Sequence, residues 1–564
     1  WWPKIFKYVN NMPQIKLLIF IFISTLILHG NAIASKKNNL PKVSDYLIAQ
    51  ISFQAKDYKA ANKHYLNLLK KDKGNISLHL NIIKNNLLNN NIDAANKYYI
   101  KLKKLGCDNS NIECTSLLQS IGPLINGVSY LKKNRNDKAV KAFSEIQIIE
   151  NNKLYVGLLK AWSLANFYTY KESINILDNI NSEDYYSEII LHKALIYDLV
   201  NEVELAETFY ELALGGHKEI YLINYYLNFL HRNNLVQKKE DFIKQLYVET
   251  ANQISINNNM LTNSRLIENQ LNGIGLVLYE ASQYFGFKDQ DFSLTILNIA
   301  NYSFPNLFEV NFLSASLLQS LERHDEAISF YKTIPSNHYL SSLGTIQLAN
   351  LLNIKNKEDE AIDILNAYLK ERDSFKVKMT LGDHYRYRSE WIKAQNIYSQ
   401  IIEDDKYILD ANIWNTYYRR GISYERNKQW ELAEKDFVQA LLLSDNQPDV
   451  LNYLGYSWID NNINMVEAKS MIELALEQKP DDAYFIDSLA WYYFKVKDYE
   501  QANSLLSYAT YLAPTDPIIN EHYGDTLWKV GKYIEARYQW NRALDLEPEI
   551  EIANSIKVKL LKGY

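Results

Sequence analysis

The chain has 564 residues, 47% of them hydrophobic and 23% charged, which suits a folded protein and excludes wholesale disorder. Only 18 glycines and 11 prolines argue against a turn-rich all-β fold and for helices, whose interiors exclude both residues. A net charge of −5 lacks the basic excess of a typical nucleic-acid binder, and two cysteines are too few for a structural zinc site of four ligands.

Lys4, Lys7 and Lys16 precede an apolar run from Leu17 to Leu28, and Ala32-Ile33-Ala34 stands before Ser35. A basic start, a short apolar centre and a small-x-small motif are the parts of a secretory signal peptide. Twelve helical residues rise about 18 Å, less than the ~30 Å hydrocarbon core of a bilayer. Residues 1–34 are therefore expected to be an export leader, with an uncleaved anchor as the alternative. Met12 would begin a more compact leader, leaving residues 1–11 as upstream translation.

Residues 35–214 carry a spaced pattern of a small residue with a bulky one four positions later. Ala61/Tyr65, Ala95/Tyr99, Ala139/Phe143, Ser173/Leu177 and Ala206/Tyr210 follow at intervals of 34, 44, 34 and 33. The long interval holds Cys107 and Cys114, read as a loop insertion whose cysteines either close a small disulfide or remain thiols. The register lapses over 215–273, which predicts degenerate repeats or a joint between two arrays. It resumes over 274–550, first as Ala315 with Ala327/Tyr331, Ala349 with Ala361/Leu365, and Gly382 with Ala394/Tyr398.

Four ladders then run in step. Gly421, Gly455, Ala490 and Gly524 lie 34, 35 and 34 residues apart, and Ala433, Ala468, Ala502 and Ala536 follow at 35, 34 and 34. Ala440, Ala475, Ala509 and Ala543 keep the same step, and Pro480, Pro514 and Pro548 close three units. Phe437, Ile472, Leu506 and Trp540 are the bulky members between the alanines. The spacing predicts two antiparallel helices per unit. Small residues sit where the helices cross, a large one fills the space beside the crossing, and proline ends the second helix. Such pairs cannot bury an apolar face alone and must stack. Residues 551–564 are expected to form a capping helix with a basic end, Lys557, Lys559 and Lys562.

The 34-residue period and its small and large positions resemble the tetratricopeptide repeat. The resemblance implies an all-α, right-handed superhelical solenoid of antiparallel helix pairs, about 12–15 repeats long. The runs LNYLGYSWID (451–460), LEQKPDDAYFIDSLAWYYFK (476–495) and INEHYGDTLWKVGKYIEARYQWNRAL (519–544) resemble an alphaproteobacterial family of exported repeat proteins. That family is similar to a pseudomonad outer-membrane lipoprotein that partners a carboxy-terminal processing protease. The resemblance implies a periplasmic adaptor without enzymatic activity or cofactor, whose partners are proteins or peptides, among them an envelope protease or cell-wall hydrolase. The chain departs from the lipoprotein in having no lipid-attachment cysteine after its leader. An accessory role in envelope polysaccharide export or protein secretion is the alternative.

In such a solenoid the first helix of each pair lines the concave face. Positions near the small residue give Asn452 and Tyr456, then Asp487, Trp491 and Phe494, then Glu521, Asp525 and Trp528 as a peptide-binding groove. Rigid rings beside fixed charges suit peptide capture, and the acidic balance favours a basic or apolar segment. The plainer expectation is that the same rings pack neighbouring repeats. No metal-ligand spacing, phosphate loop or nucleophile motif stands out. His522 beside Glu521 and Asp525 is the nearest approach to a catalytic group, Gly273-Ile274-Gly275 lacks the third glycine of a dinucleotide turn, and Lys70, Lys71 and Lys73 look like a solvated helix end.

Overall fold

The computed structural model describes residues 40–106, 112–148, 152–180, 186–215, 220–250, 261, 263–285, 289–408 and 410–564. The leader, residues 1–34, lies outside them. Among the described residues the secondary structure is helical, arranged as fourteen helix pairs, a short helix Ile112–Gln119 between the second and third pairs, and a final single helix, Ile550–Lys562. No described helix is long and apolar enough to cross a membrane.

Each pair begins and turns by local chemistry. Asp482 accepts hydrogen bonds from the backbone N–H of Tyr484 and Phe485, and Asp516 from those of Ile518 and Ile519, while Pro448 and Pro517 open their helices. In twelve of the pairs the chain turns between the helices through a left-handed residue: Lys56, Asn90, Asn134, Asn201, Asn234, Glu322, Asn356, Ser389, Lys428, Asn462 (with Asn464 also left-handed), Lys497 or Gly531. The following N–H then reaches back five residues, as Ile463 does to the Trp458 carbonyl (2.9 Å) and Lys532 to that of Leu527 (2.9 Å). This is the Schellman closure, which satisfies a carbonyl left open at the helix end. Pro480, Pro514 and Pro548 lie just beyond the ends of the second helices at Gln478, Leu512 and Asp545.

The small and large positions meet face to face. A Cβ built on Gly421 would stand 2.6 Å from the Phe437 ring, one on Gly524 2.4 Å from Trp540, and one on Gly382 2.4 Å from Tyr398. Gly455 faces the Ala468 carbonyl and Ile472, both at 3.0 Å. The large side chain thus covers the first-helix glycine directly rather than lying beside the crossing. Ala433, Ala440, Ala468, Ala475, Ala490, Ala502, Ala509, Ala536 and Ala543 are fully buried.

The chain divides into two compact units after Gly344. The stretch 215–273 contains one divergent pair, Ile220–Arg232 and Val236–Thr250. Leu227 and Lys239 stand where other pairs carry small residues, and the aromatic side chains of Tyr210, Tyr226, Phe229 and Phe242 pack together there instead. The cysteine-bearing insertion is partly helical, Ile112–Gln119; Cys114 is fully buried in it and not a free thiol, and Cys107 lies outside the described residues.

In the first unit the helices Gln270–Phe285 and Gln290–Ser303 return against earlier pairs, so one core runs from Leu80 to Val310. Asn298 donates to the Leu87 carbonyl (2.8 Å), Tyr302 to Asp93 (2.5 Å) and Gln270 to the Ser163 carbonyl (2.8 Å). Gly273 lies against the Trp162 indole and Gly275 against Phe304, so these glycines serve close packing of a helix. The second unit has smaller clusters, each shared by neighbouring helices.

Candidate functional site

The first helices of the last three pairs are Pro448–Asp460, Ala483–Lys495 and Pro517–Lys529. They bring the eight predicted groove residues onto one surface, but that surface is not an open groove. Asp487, Trp491, Phe494, Glu521 and Asp525 are each under a tenth exposed, Trp528 is half-buried, and only Asn452 and Tyr456 keep an intermediate exposure among the upstream positions.

A column of rings crosses these helices. Trp491 stacks on Phe494 (centroids 4.8 Å, 4° apart in plane) and on His522 (4.1 Å, 14°), and Tyr456 lies 6.4 Å from His522. His522 Nδ1 meets Asp487 at 2.9 Å, a partner one repeat away that adjacency in the sequence does not reveal. Burial alone would lower the His522 pKa; the Asp487 charge and hydrogen bond, helped by Glu521 and Asp525, raise it above the ordinary value. The imidazole is enclosed by rings and carboxylates, an arrangement that fixes charge in the packing and gives a substrate no approach.

The acidic end of the surface is taken by the chain itself. Lys559, on the last helix, binds Glu521 at 2.7 Å and Asp525 at 2.6 Å. Trp540 Nε1 donates to the other Asp525 oxygen at 2.9 Å. Burial pushes the Asp525 pKa up to about 6 against the opposing pull of Lys559. Tyr564 places its ring 5.6 Å from Phe494, and Gly563, at φ +82°, lets the backbone close on Trp528. At its other end the same helix is tied by Glu549 to Arg426 through two hydrogen bonds of 2.7 and 2.8 Å. The last helix therefore lies along the inner face with its basic and aromatic groups seated in it. Upstream, the Asn452 Oδ1 is buried without a partner.

Polar clusters in the first unit were invisible to periodicity because their members lie far apart in the chain. Trp162 Nε1 donates to His192 Nδ1 (2.9 Å), which leaves His192 Nε2 to donate to Glu280 (2.9 Å). Tyr339 donates to Glu309 at 2.6 Å beside His338. Among the described residues no group of three or more His, Cys, Asp or Glu is placed to hold a metal ion.

No protein-family model matches the sequence, and no curated protein matches it. Solved structures do resemble it. A tetratricopeptide repeat protein from Parabacteroides merdae ATCC 43184 is 15% identical over 45% of this chain and 99% of its own, with a TM-score of 0.39. A chain of the APC/C hetero-tetramer Cut9–Hcn1 is 14% identical over 94% of this chain and 98% of its own, with a TM-score of 0.36. Pseudomonas aeruginosa pilF is 18% identical over 36% of this chain and 85% of its own, with a TM-score of 0.28. The chain's own geometry decides the fold: helix pairs stepping by about 34 residues, most of them with a small residue under the large side chain of the second helix, make it an all-α array of repeats of tetratricopeptide type.

Proposed function

We propose that this protein is a non-enzymatic interaction scaffold of the bacterial cell envelope, holding polypeptide segments on the first-helix face of its second unit. The observation that carries this is the seating of Lys559 between Glu521 and Asp525 with Tyr564 against Phe494. The face binds a basic, aromatic-ended helix from its own chain, so its chemistry is that of a receptor for such a segment. Asn452 and Tyr456 keep an intermediate exposure and mark where a partner segment would continue along the face.

The leader-like sequence supports a periplasmic location. The resemblance of 451–544 to exported repeat adaptors makes an envelope protease or cell-wall hydrolase the first partner class to seek. A photo-crosslinking residue in place of Asn452, in the tagged full-length chain within a bacterial host, tests this by fractionation and mass spectrometry. A small, reproducible set of periplasmic proteins is expected. Retention in the cytoplasm would overturn the envelope reading, and crosslinking of an exported chain to nothing but itself would overturn the scaffold.

A further inference from the structure

The first two repeats carry a charge pattern unlike the rest of the molecule. Between residues 56 and 104 stand eleven lysines against three aspartates, in a chain whose net charge is −5. The helices Tyr58–Lys71 and Ile92–Leu105 are the second helices of these repeats, and a cleft of about 810 Å³ opens between them. Lys59, Lys63, Lys70 and Lys73 from the first repeat face Lys101 and Lys104 from the next across it. Lys70, Lys71 and Lys73 read from the sequence as a helix end; the fold joins two of them to lysines some thirty residues away.

Among the described residues none of these six lysines pairs with a carboxylate. Lys70 reaches only the Asn67 amide oxygen (3.5 Å), and Lys101 lies over the Tyr98 ring (4.8 Å). Six like charges around one cleft repel one another, and an anion placed among them relieves that repulsion. The floor, by contrast, is apolar: Leu66, Leu69, Tyr98 and the half-exposed Leu105. A nucleic-acid backbone would leave those side chains uncovered, and a bilayer surface does not enter a concave cleft between helices. A segment with carboxylates at its edges and apolar side chains between them satisfies both rim and floor.

We infer that this cleft, on the second-helix side of the array, is a docking site for an acidic amphipathic segment of another protein. It is distinct in place and in charge from the first-helix face described above, and it stands whether or not that face receives a partner.

The full-length protein would be titrated into a fluorescein-labelled synthetic peptide in which glutamate alternates with leucine. Polyglutamate of equal length, a DNA oligonucleotide and phosphatidylglycerol vesicles would run beside it. Saturable binding of the amphipathic peptide is expected, weakening at least about tenfold on raising salt from low to physiological strength and beyond. The surface variant Lys63→Glu/Lys101→Glu should lower affinity at least about tenfold, and Leu105→Ser severalfold, with melting temperatures unchanged; Lys469→Glu in the other unit should do nothing. Equal binding by the charge-reversed variant, or no binding of the amphipathic peptide, overturns the proposal. Preference for polyglutamate, DNA or vesicles over that peptide overturns it as well, in favour of a simple polyanion or a membrane.

Discussion

Three of the four ladder glycines over 382–524 lie under aromatic rings, and the fourth, Gly455, lies under Ile472. Gly382, Gly421 and Gly524 face Tyr398, Phe437 and Trp540, whereas Ala490 pairs with Leu506 and Ala349 with Leu365 at the same offset of 16 residues. In these three pairs the ring lies so close to the first helix that a Cβ would stand within 2.6 Å of it, although Ala315 opposite Tyr331 shows that a ring does not exclude alanine in every repeat. Gly524→Ala is therefore expected to destabilise the second unit by about 1–3 kcal/mol through overpacking, read as a lower melting temperature. The turn residues make the opposite prediction. Lys497 holds a left-handed conformation (φ 67°) with its side chain exposed, a state that strains any residue carrying a Cβ. Lys497→Gly should raise stability by about 0.5–1 kcal/mol in denaturant titration, the relief of strain exceeding the entropy lost by glycine. Both residue classes differ in legibility. The small-large ladder is plain in the sequence because it recurs. The turn positions are not, because Asn90, Asn134, Asn201, Asn356 and Asn462 stand among many other asparagines and resemble a compositional bias.

Among the elements, the last helix and the ring column decide how the inner face of the second unit behaves. His522 is held above its ordinary pKa against the cost of burial, chiefly by Asp487, and Asp525 is raised to about 6 by burial. Both groups bind their protons more tightly in the folded chain than in the unfolded one. The Asp525 contribution is thus present at low pH and fades as pH rises from about 4 through 6. The His522 contribution is full below about 6.5 and fades as pH climbs through its raised folded value. Thermal melts should show the second unit losing stability from about pH 5 towards pH 8, and His522→Gln should flatten the part of that decline above about pH 6.5. A wild-type profile that rises over the same interval would contradict the assignment. The capping helix was legible from its basic end and its place after Pro548, but its contact with Glu521 and Asp525 was not. Helical spacing placed the eight groove residues on one surface without showing what covers it; the acidic groups read as a free groove are met by Lys559, 34 and 38 residues further on.

At the scale of the molecule, repetition announces the pairs and hides their departures. The 34-residue step predicted helix pairs on both sides of the divergent stretch, and the pairs are there. The division after Gly344 was not legible, because it follows from helices Gln270–Phe285 and Gln290–Ser303 folding back on residues as much as 211 positions earlier, as in the Asn298–Leu87 hydrogen bond. Contacts of that separation leave no periodic mark. The same holds for the basic cleft, which needs two consecutive repeats to be in place before its lysines meet.

The inner face of the second unit can be tested with the segment that already occupies it. A labelled peptide of residues 550–564 would be titrated, by fluorescence anisotropy, into a chain ending at Pro548 and into the full-length chain. A receptor face predicts saturable, salt-sensitive binding to the shortened chain, loss of that binding in Glu521→Gln/Asp525→Asn, and none to the full-length protein, whose own helix is in place. A folded shortened chain that ignores the peptide, or a full-length chain that binds it equally well, would contradict it.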